Sequence, residues 1–374
     1  MKIPFHKVPS SSQEIKAVSD VIESGWWTTG TQCVKFENNF RKIVGANYAL
    51  SVNSCTSALH LALKAVGVSE GDEVIIPTNT FVATIEAVTY LGAVPVLCDV
   101  NDSDHNIDTS KIQGLISKRT KALIPVHFAG FPCDMDKISA IAKEHSLKVV
   151  EDAAHALPSY YKGKFIGSLS DATCFSFYAT KTISTGEGGM ITTNSMDLYR
   201  SMKSNRIHGI SNDAWERYSE KNNDWFYTIV DRGYKYNMSD ISAALGLVQL
   251  GKLFEYNSKR YDIASRYIDA FKRHGIGYVY QDNSNKSSWH LFVVKVANRD
   301  ELYSKLLADG IGTSVHFIPL HMHSYYRDRF RFNQSLYPVS NKVFSKVLSI
   351  PIYPDLSQEE QEYIISKIIE HAKV

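Results

Sequence analysis

No apolar run in this chain approaches the roughly 18 residues needed to cross a bilayer. The opening residues, MKIPFHKVPSSSQEIKAV, also lack the continuous apolar stretch of a secretory leader. Both absences predict a cytoplasmic protein without a membrane partner. No long Lys/Arg block is present, and a formal net charge of +2 over 374 residues sets up no strong field, so nucleic acid is not expected as a partner. Cysteine is scarce. Cys33, Cys55, Cys98, Cys133 and Cys174 are odd in number and form no CxxC, which argues against both a disulfide framework and a zinc ribbon. They read as reduced thiols, several packed as small hydrophobes. His316, His321 and His323 lie close in sequence, but no Cys or carboxylate sits among them at ligand spacing, so no metal site is expected. Internal repeats and low-complexity segments are also missing.

What is present is an ordinary globular composition, 44% hydrophobic and 21% charged. The length exceeds that at which a single core keeps growing, so two domains are expected: a large one over 1–250 and a smaller α/β domain over 251–374. Residues 13–24 carry Ile15, Val18, Val21 and Ile22 at helical spacing, with Ser11 or Ser12 placed to cap the first turn. From residue 48, the apolar runs YALSV, EVIIP, VPVLCDV, KALIPVHF and LKVVED alternate with helical stretches such as SALHLALKAV and FVATIEAVTYLG. Strands alternating with helices predict βαβ units and a mostly parallel sheet with helices on both faces. Beyond residue 250 the pattern predicts a long helix (LFEYNSKRYDIASRYIDAFKR), a strand within SSWHLFVVKVA, a helix at RDELYSKLLADG and a last helix over 358–371. Ser357 and Glu360 form a capping box for that last helix.

Ligand crevices of open α/β sheets lie beyond the carboxyl ends of the strands. Three such ends carry chemistry. NSCTSALHLAL places Asn53, Ser54, Thr56 and Ser57 where a strand turns into a helix; free N–H groups, hydroxyls and the helix dipole there suit a phosphate, and plain N-capping is the competing explanation. VVEDAAHA sets Glu151 and Asp152 directly after a buried-strand pattern, where a carboxylate needs a partner. One reading is a carboxylate that keeps a heteroaromatic nitrogen protonated, and the other is a cap or a surface acid. His155 is either a hydrogen-bonding partner for a ring substituent or a satisfied core histidine. FSFYATKTISTGEGGM presents Lys181 before Gly186, Gly188 and Gly189. A lysine beside a turn is ordinarily solvated. In a water-poor pocket beside a phosphate site and a carboxylate, it can instead lose its proton and attack a carbonyl. A phosphate, a protonated ring nitrogen and a Schiff-base lysine together describe pyridoxal 5′-phosphate (PLP).

These motifs, with ESGWWTTG, IPTNTFVAT, HGISNDAWERY, GYKYNMSDISAALGLVQL, VHFIPLHMHSYYRDRF and LSIPIYPDLSQEE in the same order, resemble the DegT/StrS family of PLP-dependent nucleotide-sugar aminotransferases over nearly the whole chain. The resemblance implies fold type I: a large domain with a mostly parallel sheet of seven strands between helices, plus a smaller C-terminal domain. It implies that Lys181 carries the cofactor covalently, that Asp152 pairs with the ring nitrogen and that His155 sits near the ring face and the phenolic oxygen. It places Phe81 as the stacking aromatic and Ser176, Thr56 and Ser57 at the phosphate. Asn237, with Lys235 less firmly placed, falls in a segment that in the family crosses from a second subunit; this implies a C2 homodimer with shared sites, turn formation being the alternative for Asn237. Thr29, Gly30, Tyr178, His316 and His321 lie in segments that resemble substrate-lining loops, and packing competes as the explanation for the histidines.

The resemblance further implies ping-pong transfer of an amino group from L-glutamate to a nucleotide-linked keto-sugar. WTTG and TISTGEGG point to C4 of a 4-keto-6-deoxyhexose, as in routes to surface amino sugars such as those of O-antigen and lipopolysaccharide. Dehydratases of the family replace the lysine with histidine, and here residue 181 is lysine. The rival expectations are a PLP-dependent dehydratase or lyase on the same fold, and a non-catalytic sensor that binds PLP or a nucleotide sugar.

Overall fold

The apolar runs that begin at residue 48 become strands because each is bounded by turn residues and is apolar on both faces. They are β1 (Tyr48–Val52), β2 (Glu73–Pro77), β3 (Val94–Cys98), β4 (Thr120–Leu123), β5 (Lys148–Asp152), β6 (Ala172–Ser176) and β7 (Gly189–Thr193), in a computed structural model that describes residues 1–211, 226–281 and 285–373. Beyond residue 211, the HGISNDAWERY motif lies outside the described residues. The strands form one seven-stranded sheet in the order β1-β7-β6-β5-β4-β2-β3. Only β7 runs against the others, paired antiparallel with β1 and β6. The pleat sends Val149 into one core with Phe36, Phe40 and Phe175, and Val150 into a second core with Leu59, Ile76 and Cys174.

Helices cover both faces: α1 (Ser12–Ser24), α2 (Thr31–Val44), α3 (Cys55–Ala65), α4 (Val82–Thr89), α5 (Met135–Glu144), α6 (Met196–Asn205), α7 (Asp240–Gly251) and the long α8 (Leu253–Arg273). The C-terminal part adds an antiparallel sheet of β8 (Gly277–Tyr278), β9 (Phe292–Lys295) and β10 (Val347–Ile350), packed by α8, α9 (Arg299–Ala308) and α10 (Gln358–His371). Ser357 and Glu360 do form the reciprocal cap of α10, with N–H···O distances of 3.1 and 2.8 Å. We propose that the chain divides between α7 and α8. The amino-terminal residues nevertheless pack with the C-terminal part: Ile3 is buried in its core, and Ile3 N donates to Gly310 O at 2.8 Å.

α1 departs from its sequence pattern in one respect. Ser11 caps it as expected, but Ile15 is 71% exposed, whereas Glu14 on the neighbouring face is buried. The reason is electrostatic. Glu14 accepts from Lys252 Nζ at 2.7 Å and Gln249 Nε2 at 2.8 Å, so the face of α1 that meets α7 is the one carrying the carboxylate, and burial there is met by charge-assisted hydrogen bonds.

The start of α2 depends on a distant acid. Gly30 supplies no side-chain cap, and the buried Asp240 carboxylate accepts instead from the backbone N–H groups of Gly30 (2.8 Å), Cys33 (3.0 Å) and Gln32 (3.1 Å). Asp240→Ala would leave these donors unpaired and should destabilise the protein by about 2–3 kcal/mol. The check is a lowered midpoint in thermal or urea unfolding; an unchanged midpoint would mean that the cap contributes nothing.

Candidate active site

The carboxyl ends of β1, β5 and β6 converge on a cavity of about 510 Å³, and the C-terminal part closes its far side with His290, His316 and Phe317. β5 ends in consecutive acids, and its pleat separates them. Glu151 turns inward, where it accepts from His127 Nε2 at 2.8 Å and Thr173 Oγ1 at 2.9 Å. Cys133 N donates to His127 Nδ1 at 3.0 Å, so the ring proton lies on Nε2, facing Glu151. Asp152 takes the other face and lines the cavity, only 5% exposed. Burial raises its pKa; the hydrogen bonds from Ala154 N (3.1 Å) and Thr84 Oγ1 (2.9 Å) act in the opposite sense, as does the charge of Lys181. Thr84 in turn shares a 2.9 Å contact with Thr80, so α4 positions the carboxylate through a hydroxyl pair.

Lys181 follows β6 by five residues and reaches the same cavity. Burial lowers its pKa from 10.5 to about 8, against the opposing influence of Cys55 and Asp152. The Cys55 thiol is itself pushed well up by burial, so it stays protonated and Asp152 supplies the negative charge. This is the desolvated amine that nucleophilic chemistry near neutral pH requires.

Ser54 opens α3 as its N-cap, with its hydroxyl accepting from Ser57 N at 3.1 Å. Ser57 Oγ is spent on Asn53 Oδ1 at 2.7 Å and lies outside the cavity lining. Thr56 and Ser176 line the cavity, and the N–H groups of Cys55 and Thr56, which open α3, have no intrahelical partner. The GEGG glycines serve this junction: Gly186 adopts φ +77°, and a Cβ on Gly189 would lie 2.6 Å from the Ser54 carbonyl carbon. Phe81, 56% exposed, holds its ring at the rim, 5.7 Å from the Phe317 ring. His155 accepts from Ala129 N at 3.3 Å through Nδ1, which leaves Nε2 as the proton-bearing nitrogen. Burial sets its pKa well below 6.5. Tyr178 lies at the rim; His316, held by Ser349 Oγ at 2.9 Å, lines the cavity with its pKa lowered to about 4 by burial.

The remaining candidates lie elsewhere in this chain. Thr29 Oγ1 donates to Met238 O (2.6 Å) and accepts from Asn237 Nδ2 (2.8 Å); Gly30 is bound to Asp240, and none of the three lines the cavity. His321 is fully buried between Thr78 Oγ1 (2.6 Å) and Asn341 Oδ1 (2.8 Å) and stacks on Tyr337, so packing accounts for it. Ser54, read from the sequence with Thr56 at the strand-to-helix junction, also lines the cavity; Glu187, His6, His290, Phe317 and Thr84 join the site or support it, although the sequence alone did not single them out for it. Among the described residues, no group of three or more His, Cys, Asp or Glu side chains could hold a metal ion, and no helix is long and apolar enough to cross a membrane.

The residues fit PLP: a sealed carboxylate for a ring nitrogen, an amine of lowered pKa, an exposed aromatic face and a helix start with unspent donors for a phosphate. Comparison with known proteins agrees. A model of the DegT/DnrJ/EryC1/StrS aminotransferase family matches residues 10–369. The spore coat polysaccharide biosynthesis protein SpsC of Bacillus subtilis (strain 168) is 42% identical over 98% of this chain and 96% of its own length. Spr1654 of Streptococcus pneumoniae, described as a sugar aminotransferase, superposes in its PLP form with a TM-score of 0.92 at 32% identity, covering 99% of this chain and 98% of that one. Helicobacter pylori PseC, an aminotransferase of pseudoaminic acid biosynthesis, gives a TM-score of 0.92 at 28% identity over 99% of both chains. The fold is therefore fold type I, and the cofactor is PLP.

Because the Lys181 pKa falls to about 8, its unprotonated fraction rises through that pH rather than near 10.5. Acylation of the cofactor-free protein, followed peptide by peptide with mass spectrometry, should show Lys181 labelling with an inflection near pH 8. An inflection at the pH of ordinary surface lysines would contradict the desolvated setting.

Proposed function

The chain belongs to the DegT/DnrJ/EryC1/StrS aminotransferase family and is a PLP-dependent sugar aminotransferase, and we propose that it moves an amino group from L-glutamate to C4 of a nucleotide-linked 4-keto-6-deoxyhexose. The observation that carries the reading is the meeting of Lys181, Asp152 and the α3 start in one cavity. The saccharide pathways named for SpsC and PseC support a sugar acceptor.

When bound, PLP supplies an electrophilic aldehyde and an electron-withdrawing ring that makes a neighbouring C–H bond acidic. The chain does the rest. Asp152, held by Thr84 and Ala154, keeps a proton at the ring nitrogen. Lys181 Nζ takes a proton from the α-carbon of the donor, and its lowered pKa keeps it available for that task. Phe81 and His155 hold the ring plane, while Thr56, Ser176 and the first turn of α3 hold the phosphate. In the second half of the cycle, Lys181 delivers a proton to the carbon that becomes C–N in the sugar. The apolar lining from Phe317, Leu291 and Ile352 restricts water around these transfers.

A homodimer belongs to the same proposal. The segment carrying Lys235 and Asn237 runs beside the end of β1, where Asn53 N donates to Tyr236 O at 2.8 Å, so it lies next to the α3 start without entering its own chain's cavity. The likeness of this segment to one that crosses between subunits in the family supports Asn237 as a contributor to the phosphate site of a second copy.

Purified protein given PLP, L-glutamate and a nucleotide-linked 4-keto-6-deoxyhexose should release 2-oxoglutarate and yield the 4-amino sugar. Lys181→Ala should lower turnover by about 10²–10⁴-fold. Amine transfer at C3, or loss of water from the sugar, would overturn the assignment.

A further inference from the structure

His290 is 6% exposed and lines the cavity, yet neither of its ring nitrogens has a partner among the described residues, and Nδ1 is closed off from solvent. His6, on the same wall, has an equally unpartnered buried Nε2. Behind them lies Arg260, 1% exposed. Its Nη1 donates to the carbonyls of Trp289 (3.2 Å), His290 (3.4 Å) and Ile352 (2.6 Å), while Nε and Nη2 donate to nothing. No carboxylate pairs with Arg260 among the described residues; Arg206, by contrast, lies 2.8 Å from Glu37. Burial lowers the Arg260 pKa to about 10, which leaves it cationic at neutral pH. A buried guanidinium without a counter-ion is costly.

The backbone shows that this wall is built deliberately. Trp289 holds φ +49°, an unfavourable left-handed conformation for an aromatic residue. Neighbouring bonds enforce it: Ser288 N to Ser159 Oγ (3.1 Å), Asn257 Nδ2 to Ser288 O (2.9 Å) and Trp289 N to Ser287 Oγ (3.0 Å). The effect is to set the His290 ring 4.4 Å from that of His155.

We propose that this wall, with His290 in contact and Arg260 behind it, receives a carboxylate of the amino donor. The proposal rests on the reading of L-glutamate as donor. A carboxylate supplies both the acceptor lone pairs that His290 lacks and the negative charge that Arg260 lacks; sugar hydroxyls supply only the first. The cofactor's phosphate is provided for by other residues, at the start of α3. Asp152 and Glu187 are the acids in the lining, neither forms an ion pair with Arg260, and Asp152 is already engaged by Thr84 and Ala154. Arg260 is a positioning residue here, since it acts through the carbonyls and the charge behind His290.

The test uses the PLP-loaded protein and separates the two half-reactions. L-glutamate is titrated while the absorbance of the bound cofactor is followed, and the keto-sugar nucleotide is titrated separately. His290→Ala should raise the half-saturating glutamate concentration by about tenfold or more and leave the KM for the sugar nucleotide within about twofold. His290→Gln, which can present an N–H near the Nε2 position, should recover part of the loss. Calorimetric binding of succinate, a dicarboxylate without an amine, should weaken in parallel in His290→Ala. A wild-type protein that ignores glutamate but responds to another amine overturns the donor reading, and this assignment with it. A wild-type protein that responds to glutamate, with His290→Ala and His290→Gln altered only toward the sugar nucleotide, overturns this assignment alone.

Discussion

A carboxylate sealed from water at the end of β5 is the constraint on which the rest of the site depends. Asp152 is nearly inaccessible, and burial alone would favour its neutral form. Two donors counter that tendency: the Ala154 N–H from the loop beyond the strand, and the Thr84 hydroxyl from α4. Neither would be in place without the parallel sheet, whose pleat sends Glu151 to His127 and turns Asp152 toward the cavity. A single register error in β5 would exchange the two acids.

The same burial that isolates Asp152 tunes its neighbours. Lys181 and the histidines at 6, 155, 290 and 316 all have pKa values lowered chiefly by desolvation. With the histidines neutral, the cavity gathers many nitrogen atoms without mutual repulsion, and the nearby positive charge is confined to Arg260 and the protonated fraction of Lys181. That economy suits a site that has to admit an anionic cofactor, an amino donor and a sugar substrate. It also explains why the cavity draws on both cores: the sheet supplies acid, amine and His155, and the C-terminal part supplies His290 and His316.

Much of this was legible in the sequence, and the exceptions share a physical cause. The long helix at 253–273 and the last one at 358–371 match their patterns because apolar spacing and caps are local signals. Lys181, Asp152, Ser176 and Thr56 come together because each follows a strand of one parallel sheet, and strand ends can be recognised from sequence. Thr84 lay within the quoted IPTNTFVAT motif, but its bond to Asp152 spans 68 residues and has no sequence pattern. His6 and His290 are set in the wall by packing between distant segments and by a strained residue at 289. Ile15 and Glu14 exchanged their expected environments because Lys252 and Gln249, far along the chain, favour the acid. For Thr29, Gly30, Ser57 and His321, the described chain shows bonds to its own residues, which motif likeness alone could not anticipate.

The central claim is that one amine, beside one buried acid, holds the cofactor covalently. Borohydride reduction of the PLP-saturated protein, followed by peptide mapping, tests it most directly. The account predicts a single stably modified residue, Lys181, and loss of that adduct in Lys181→Arg. An unmodified Lys181, or an adduct spread over surface lysines, would contradict it.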